Sequence, residues 1–188
     1  MNITFGKKIP IAITQIQNRQ TGEFEPATVY EVDCTDKEDY EEVENDRFNW
    51  CFSWDIGWNM RDKYEGKHQW TNSTFYVLED QNNETISRIQ IDSLLDNKYV
   101  LEWLDTKQNN KYKYVGQNIL SVAASEILKK GGIYFAIFNA IETAKSFYLE
   151  TCGFEDIKGF FYMNNQQMKE FIAQTEKRTQ SQIINLKA

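Results

Sequence analysis

Apolar positions along this chain recur with three different periods, and the periods divide it into elements. Ile9, Ile11 and Ile13 alternate, so Ile9 to Gln17 is expected as a first strand. Arg19 to Glu25, centred on Thr21-Gly22, turns the chain, and Ala27 to Val32 returns as a second strand. Thr74 to Leu78 and Thr85 to Ile91 flank the turn-rich Asp80-Gln81-Asn82-Asn83 and predict an antiparallel hairpin. Tyr99 to Leu104 and Ile133 to Phe138 are nearly continuous apolar runs, the mark of strands buried on both faces. Between them Ile119, Leu120, Ala123, Ala124, Ile127 and Leu128 repeat at helical spacing, and Gly131-Gly132 closes that helix. Lys129 and Lys130 sit where its dipole favours cations.

The rest of the pattern is more local. Asn139 followed by Glu142 resembles a capping box opening a helix over Ala140 to Cys152, ended by Gly153. Phe160 to Met163 reads as a last strand, and Asn165 as the cap of a final helix with Met168, Phe171 and Ile172. Glu176 to Ala188 is polar and is expected to fray. Hairpins, buried strand, helix, buried strand, helix, strand is the order of one mixed α/β (α+β) domain over residues 1–188, with residues 1–35 as its N-terminal hairpin.

Composition narrows the function classes. The 188 residues suffice for one full core. A net charge of −7 disfavours nucleic acid and anionic membranes as partners and favours cationic ones. No apolar run has the length of a membrane span, and the N-terminus lacks a signal-peptide core, so a cytoplasmic protein is expected. Cys34, Cys51 and Cys152 form neither a zinc pattern nor a disulfide framework, and no metal site is expected. His68, the single histidine, reads as a surface or loop residue. The acidic run Asp36 to Asp46, capped by Thr35 or Asp36, is either a lure for an amine or a solvated helix face. Phe48, Trp50, Phe52, Trp54 and Trp58 form either an acceptor wall or ordinary core.

The chemistry concentrates where the buried strand leads into the long helix. A glycine at Gly116 lets a ligand approach the backbone, and the N–H groups of Val115, Gly116, Gln117 and Asn118 suit a phosphate. Lys111-x-x-Tyr114-x-Gly116-x-x-Ile119-Leu120 resembles the pyrophosphate loop of the GNAT acetyltransferases, Arg/Gln-x-x-Gly-x-Gly/Ala. Glu102 to Thr106 is similar to the strand before that loop, and Phe147-Tyr148 with Gly153-Phe154 to a signature beyond it. Three departures are visible: Tyr114 replaces the first loop glycine, Lys111 replaces Arg or Gln, and one extra residue separates Tyr148 from Gly153.

The resemblance implies a GNAT-like fold: a central mixed, mostly antiparallel sheet splayed between two central strands, with helices on both faces. It implies an N-acetyltransferase that uses acetyl-CoA by direct attack of an amine, on a small molecule or a basic protein segment. The pantetheine arm would pair with the backbone of Trp103, Leu104 and Asp105, the pyrophosphate would rest on residues 115–118, and Lys111 and Lys113 would add charge. Asn139 is a cofactor contact or a helix cap. Glu102, a carboxylate in an apolar strand, is either the general base or an edge residue paired with Arg88, with Asp105 a weaker rival as base. Tyr148 is the general acid or a packing residue, and no activated nucleophile is visible. The alternative reading is a non-catalytic module on the same fold that binds CoA or another protein. A homodimer is left open.

Overall fold

A computed structural model describes residues 8–32, 72–180 and 182–186. The acidic run, the aromatic segment, His68, Cys34 and Cys51 lie outside the described residues. Ten strands form one sheet in the order β10-β1-β2-β3-β4-β5-β7-β9-β8, with β6 paired to β1. The strands are β1 Lys8–Asn18, β2 Phe24–Val32, β3 Ser73–Asp80, β4 Thr85–Ser93, β5 Lys98–Thr106, β6 Tyr112–Lys113, β7 Tyr134–Ile137, β8 Glu155–Ile157, β9 Phe160–Asn164 and β10 Ile184–Asn185. Two long helices, α1 Val115–Lys129 and α2 Asn165–Thr179, pack on each other and on the sheet. The sheet is antiparallel except where β5 meets β7. Consecutive strands β1 to β5 each turn back on the last, whereas β5 reaches β7 through the crossover helix α1, as a parallel pair requires.

The fold class thus stands as the sequence implied, and the core explains why. Ile119, Leu120, Ala123, Ala124 and Ile127 put the apolar stripe of α1 on Ile89, Ile91 and Leu101 of the sheet. Residues Thr85 to Ile91 are buried at every position, so both faces of β4 are covered, whereas the runs at β5 and β7 are not buried on both faces as expected: Glu102, Ile133, Tyr134 and Phe138 are exposed. Gly131 ends α1 at φ +75, with Gly132 N–H donating to the Ile127 carbonyl at 2.8 Å and Gly131 N–H to Leu128 at 3.0 Å. That is a left-handed helix stop that glycine adopts without strain.

Three local expectations are corrected, and one strand is added. The Asn139–Glu142 capping box does not form: the chain stays extended through Ile141, and a single 3-10 turn, Glu142–Ala144, leads through Lys145 and Ser146 into a π turn, Phe147–Thr151. Asn164, not Asn165, caps α2, because its side chain accepts from the Gln166 and Gln167 amides while Gln167 reaches back to its N–H. The polar tail is tied down: Ile184 and Asn185 pair with Ile13 and Ala12, and Ile183 is buried. The stretch after β5 holds the short strand β6, which pairs Tyr112 and Lys113 with Asn18 and Gln17.

Candidate active site

The site starts from a gap in the sheet. Strand β5 pairs with β7 only through Lys98, Tyr99 and Val100, opposite Tyr134, Phe135 and Ala136. On its other edge it pairs with β4 as far as Thr106. From Leu101 to Thr106 no described strand lies beside the edge of β5 that faced β7, so an extended ligand could lie along it. This is the splay between two inner strands that the resemblance implied.

Glu102 stands where that gap begins. The β4–β5 register runs from Gln90 opposite Trp103 to Ile91 opposite Leu101, so Glu102 is the extra residue of a β-bulge. A bulge breaks the alternation of faces and re-aims a side chain. Glu102 consequently lines a notch of about 80 Å3 with Leu101, Trp103, Leu104, Asn139, Ile141 and Tyr148. Its side chain is exposed, yet neighbouring protein desolvates the carboxyl, and with the negative Asp92 nearby its pKa is raised above the ordinary carboxylate range. The expected Arg88 partner goes elsewhere. Arg88 lies opposite Asp105 in the ladder, and the two buried side chains form an ion pair at 3.8 Å. Asp105 is buried against that arginine and does not line the notch, which removes it as a rival base.

Tyr148 reaches the same notch from the π turn. Its ring packs against Phe147, Phe154 and Phe161 at centroid distances of 5.2, 5.8 and 6.5 Å. Burial, with Cys152 adding a smaller electrostatic effect, pushes the phenol well above its usual pKa, so it stays protonated at neutral pH. The π turn also accounts for the extra residue before Gly153. Cys152 N–H donates to Phe147 at 3.0 Å, a five-residue step that holds one residue more than an α turn. Cys152 is buried and burial raises its thiol pKa far up, so it offers no thiolate nucleophile.

The other end of the open β5 edge meets the start of α1. A cleft of about 510 Å3 there is lined by Arg19, Thr106, Tyr112, Tyr114, Val115, Gly116, Gln117, Phe147, Thr151 and Arg178 among others. The N–H groups of Val115, Gly116 and Gln117, the first three residues of α1, have no carbonyl four residues back within the helix. Asn118 differs from the expectation: its N–H donates to the Tyr114 carbonyl at 2.8 Å. Its side chain accepts from the Thr14 hydroxyl at 2.6 Å and donates to the carbonyls of Gln15 and Tyr114 at 2.9 and 3.0 Å. Asn118 therefore ties α1 to β1. Tyr114 caps the helix at φ +66, the left-handed region, where the loop glycine of the resembled motif stands. A tyrosine there costs about 1 kcal/mol or more of backbone strain. A Cβ on Gly116 would meet Thr106, Phe147 and Leu104 at 3.5 to 3.9 Å, ordinary contacts, so the fold itself does not demand glycine.

The cations of the cleft were missed by sequence reasoning. Lys111 lies over the Tyr112 ring at 5.0 Å and borders a neighbouring pocket, and Lys113 is exposed on β6 outside the cleft. Arg19 and Arg178 line it instead. Arg19 Nε donates to the Tyr112 carbonyl at 2.9 Å and Arg178 to the Thr151 carbonyl at 3.4 Å. They arrive from the end of β1 and the last turn of α2, far from the loop in sequence, so only the fold joins them. Asn139, by contrast, does line the notch with Glu102 and Tyr148. Among the described residues no cluster of His, Cys, Asp and Glu could hold a metal, and no helix is long and apolar enough to cross a membrane.

No family model and no curated protein matches the chain in sequence. Solved structures do match its shape. A protein assigned to the GNAT acetyltransferase family from Desulfovibrio desulfuricans shares 11% identity over 74% of this chain and 99% of that one, with a TM-score of 0.60. A GNAT-family acetyltransferase from Staphylococcus aureus Mu50 shares 15% over 74% and 99%, at 0.56. AtaTR bound with acetyl-CoA shares 12% over 77% and 96%, at 0.57. A chain of a KacTA–DNA complex shares 11% over 66% and 87%, at 0.51, so the fold gives no support to the exclusion of nucleic acid that net charge suggested. Identities this low establish architecture: the chain has the fold of the GNAT acetyltransferases.

Proposed function

We propose that this chain is an acetyltransferase that moves an acetyl group from acetyl-CoA to an amine, on a small molecule or a basic protein segment. The observation that carries the reading is the parting of β5 from β7 beyond Val100, with the cleft at α1 at one end of that stretch and the notch holding Glu102 and Tyr148 at the other. An elongated ligand with phosphates at one end and a reactive group at the other fits that layout. The amides of Val115, Gly116 and Gln117 and the guanidinium groups of Arg19 and Arg178 would hold the phosphates. The backbone of Trp103 and Leu104 would align the arm. Acetyl-CoA supplies an acyl carbon already activated as a thioester.

The protein's own groups then handle protons. Glu102, with its pKa lifted towards neutral by desolvation, takes a proton from the incoming amine. Tyr148, kept neutral by burial, donates one into the same notch towards the leaving sulfur. Direct attack needs no protein nucleophile, consistent with the inert Cys152.

Calorimetry with acetyl-CoA, followed by a thiol-release assay over a panel of primary amines, tests the reading. Micromolar binding and amine-dependent thiol release are expected. Absence of acetyl-CoA binding would overturn it, and binding with no turnover on any amine would favour the non-catalytic module.

A further inference from the structure

We propose that the side-chain hydroxyl of Thr106 is a further phosphate ligand of the cleft at α1, an assignment that rests on the acetyl-CoA reading. Thr106 is the last residue of β5 and stands opposite Ser87 of β4, so the two side chains share a face of the sheet. It is half-buried and lines the cleft. A Cβ on Gly116 would lie 3.5 Å from Thr106 Oγ1. The hydroxyl therefore sits against the first turn of α1, close to the amides of Val115, Gly116 and Gln117. Glycine at 116 leaves it uncovered, whereas any side chain there would begin in contact with it.

The protons of the pair decide what Thr106 can do. Ser87 is fully buried, and its hydroxyl donates to the Asp105 carbonyl at 2.8 Å. A hydroxyl has one proton, so Ser87 can offer Thr106 only a lone pair. The two oxygens are 3.4 Å apart, long for hydroxyls, which prefer about 2.7–2.8 Å. The Thr106 proton is thus loosely held. A turn about the Cβ–Oγ1 bond re-aims it without moving a heavy atom. A phosphate oxygen would draw it away from Ser87, because a hydrogen bond to an anion is shorter and roughly twice as strong.

Charge agrees with that ligand. Among the described residues lining the cleft none is an acid, although the chain carries a net charge of −7. Arg19 and Arg178 are exposed and attract an anion from a distance. Thr106 is fixed on a strand, so its hydroxyl gives the phosphate a set position between β5 and α1.

The test compares the wild type with Thr106→Val and Thr106→Ser. Acetyl-CoA is titrated by calorimetry, and S-acetylpantetheine, the same donor without its phosphates, by NMR. Valine keeps the shape and the strand preference of threonine, so the variant is expected to fold, which circular dichroism checks. Thr106→Val should weaken acetyl-CoA about 10-fold, as loss of a hydrogen bond to a charged group does, and Thr106→Ser should stay within about 2-fold of wild type. All three proteins should bind S-acetylpantetheine alike. Unchanged acetyl-CoA affinity in Thr106→Val would overturn the assignment. An equal loss towards both donors would overturn it as well, since threonine would then act through packing of the strand. A wild type that binds no acetyl-CoA at all would take down the acetyl-CoA reading itself, a result distinct from both.

Discussion

The two ends of the open β5 edge are built on opposite terms. The cleft at α1 is wide, about 510 Å3, and its ligand groups are backbone N–H and exposed arginines. The notch is small, about 80 Å3, and presents one carboxyl and one phenol in an apolar wall. Backbone donors and mobile cations suit strong, undiscriminating attraction for phosphate. A confined, partly dry pocket shifts pKa values and suits proton transfer. In the proposed reaction, holding and reacting are separated along a single strand, and substitutions at one end should leave the other untouched.

The largest expected effect tests the notch. Glu102→Gln should cut turnover about 10²- to 10⁴-fold while acetyl-CoA affinity stays within about 2-fold. In the wild type the rate should fall as pH drops through the raised Glu102 pKa, so the acid limb should lie above the ordinary carboxylate range. Stability runs the opposite way. A carboxyl with a raised folded pKa contributes stability below its unfolded pKa and loses it as pH rises through the folded one. Glu102→Gln should therefore melt slightly higher than wild type near pH 7 and equally near pH 4.

Next comes the cleft. Gly116→Asp should weaken acetyl-CoA at least ~100-fold by calorimetry, since a carboxylate would face the phosphates. Yet a negative charge in the first turn of α1 favours the helix by about 0.5 kcal/mol, so the melting temperature should hold or rise. A variant that binds normally would break the comparison. Tyr148→Phe should lower turnover about 10- to 50-fold and keep both affinity and melting temperature, because the ring packing survives. Smallest, Arg178→Gln should weaken acetyl-CoA about 3- to 10-fold, with the loss fading as salt is raised, because the group is exposed.

Much of this architecture could be read from periodicity. The run Tyr99 to Leu104, the stripe of α1 and its Gly131 stop are local patterns that the tertiary structure reinforces. What escaped was non-local or depended on one-residue irregularities. The bulge that frees Glu102 from alternation exists only relative to β4. Arg19 and Arg178 lie on elements 159 positions apart in number and meet through the packing of α2 beside α1. Tyr112, just beyond the polar stretch Lys107 to Lys111, is buried, and its hydroxyl donates to Glu25 and Asp80 at 3.0 Å each. The mis-placed cap before the π turn is a matter of backbone: Ile141 is extended and stands at the cap position, so the helical turn begins at Glu142, beyond the reach of an Asn139 cap.

The five-residue step at Phe147 reaches further than its one hydrogen bond suggests. An ordinary coil of 3.6 residues would rotate each following side chain by about 100° for the added residue, forcing a choice between aiming Tyr148 at its pocket and seating Phe154 against Phe135. The wider coil grants both orientations together, so the surplus residue acts as slack, and sequence spacing alone is a poor ruler for where this tyrosine stands.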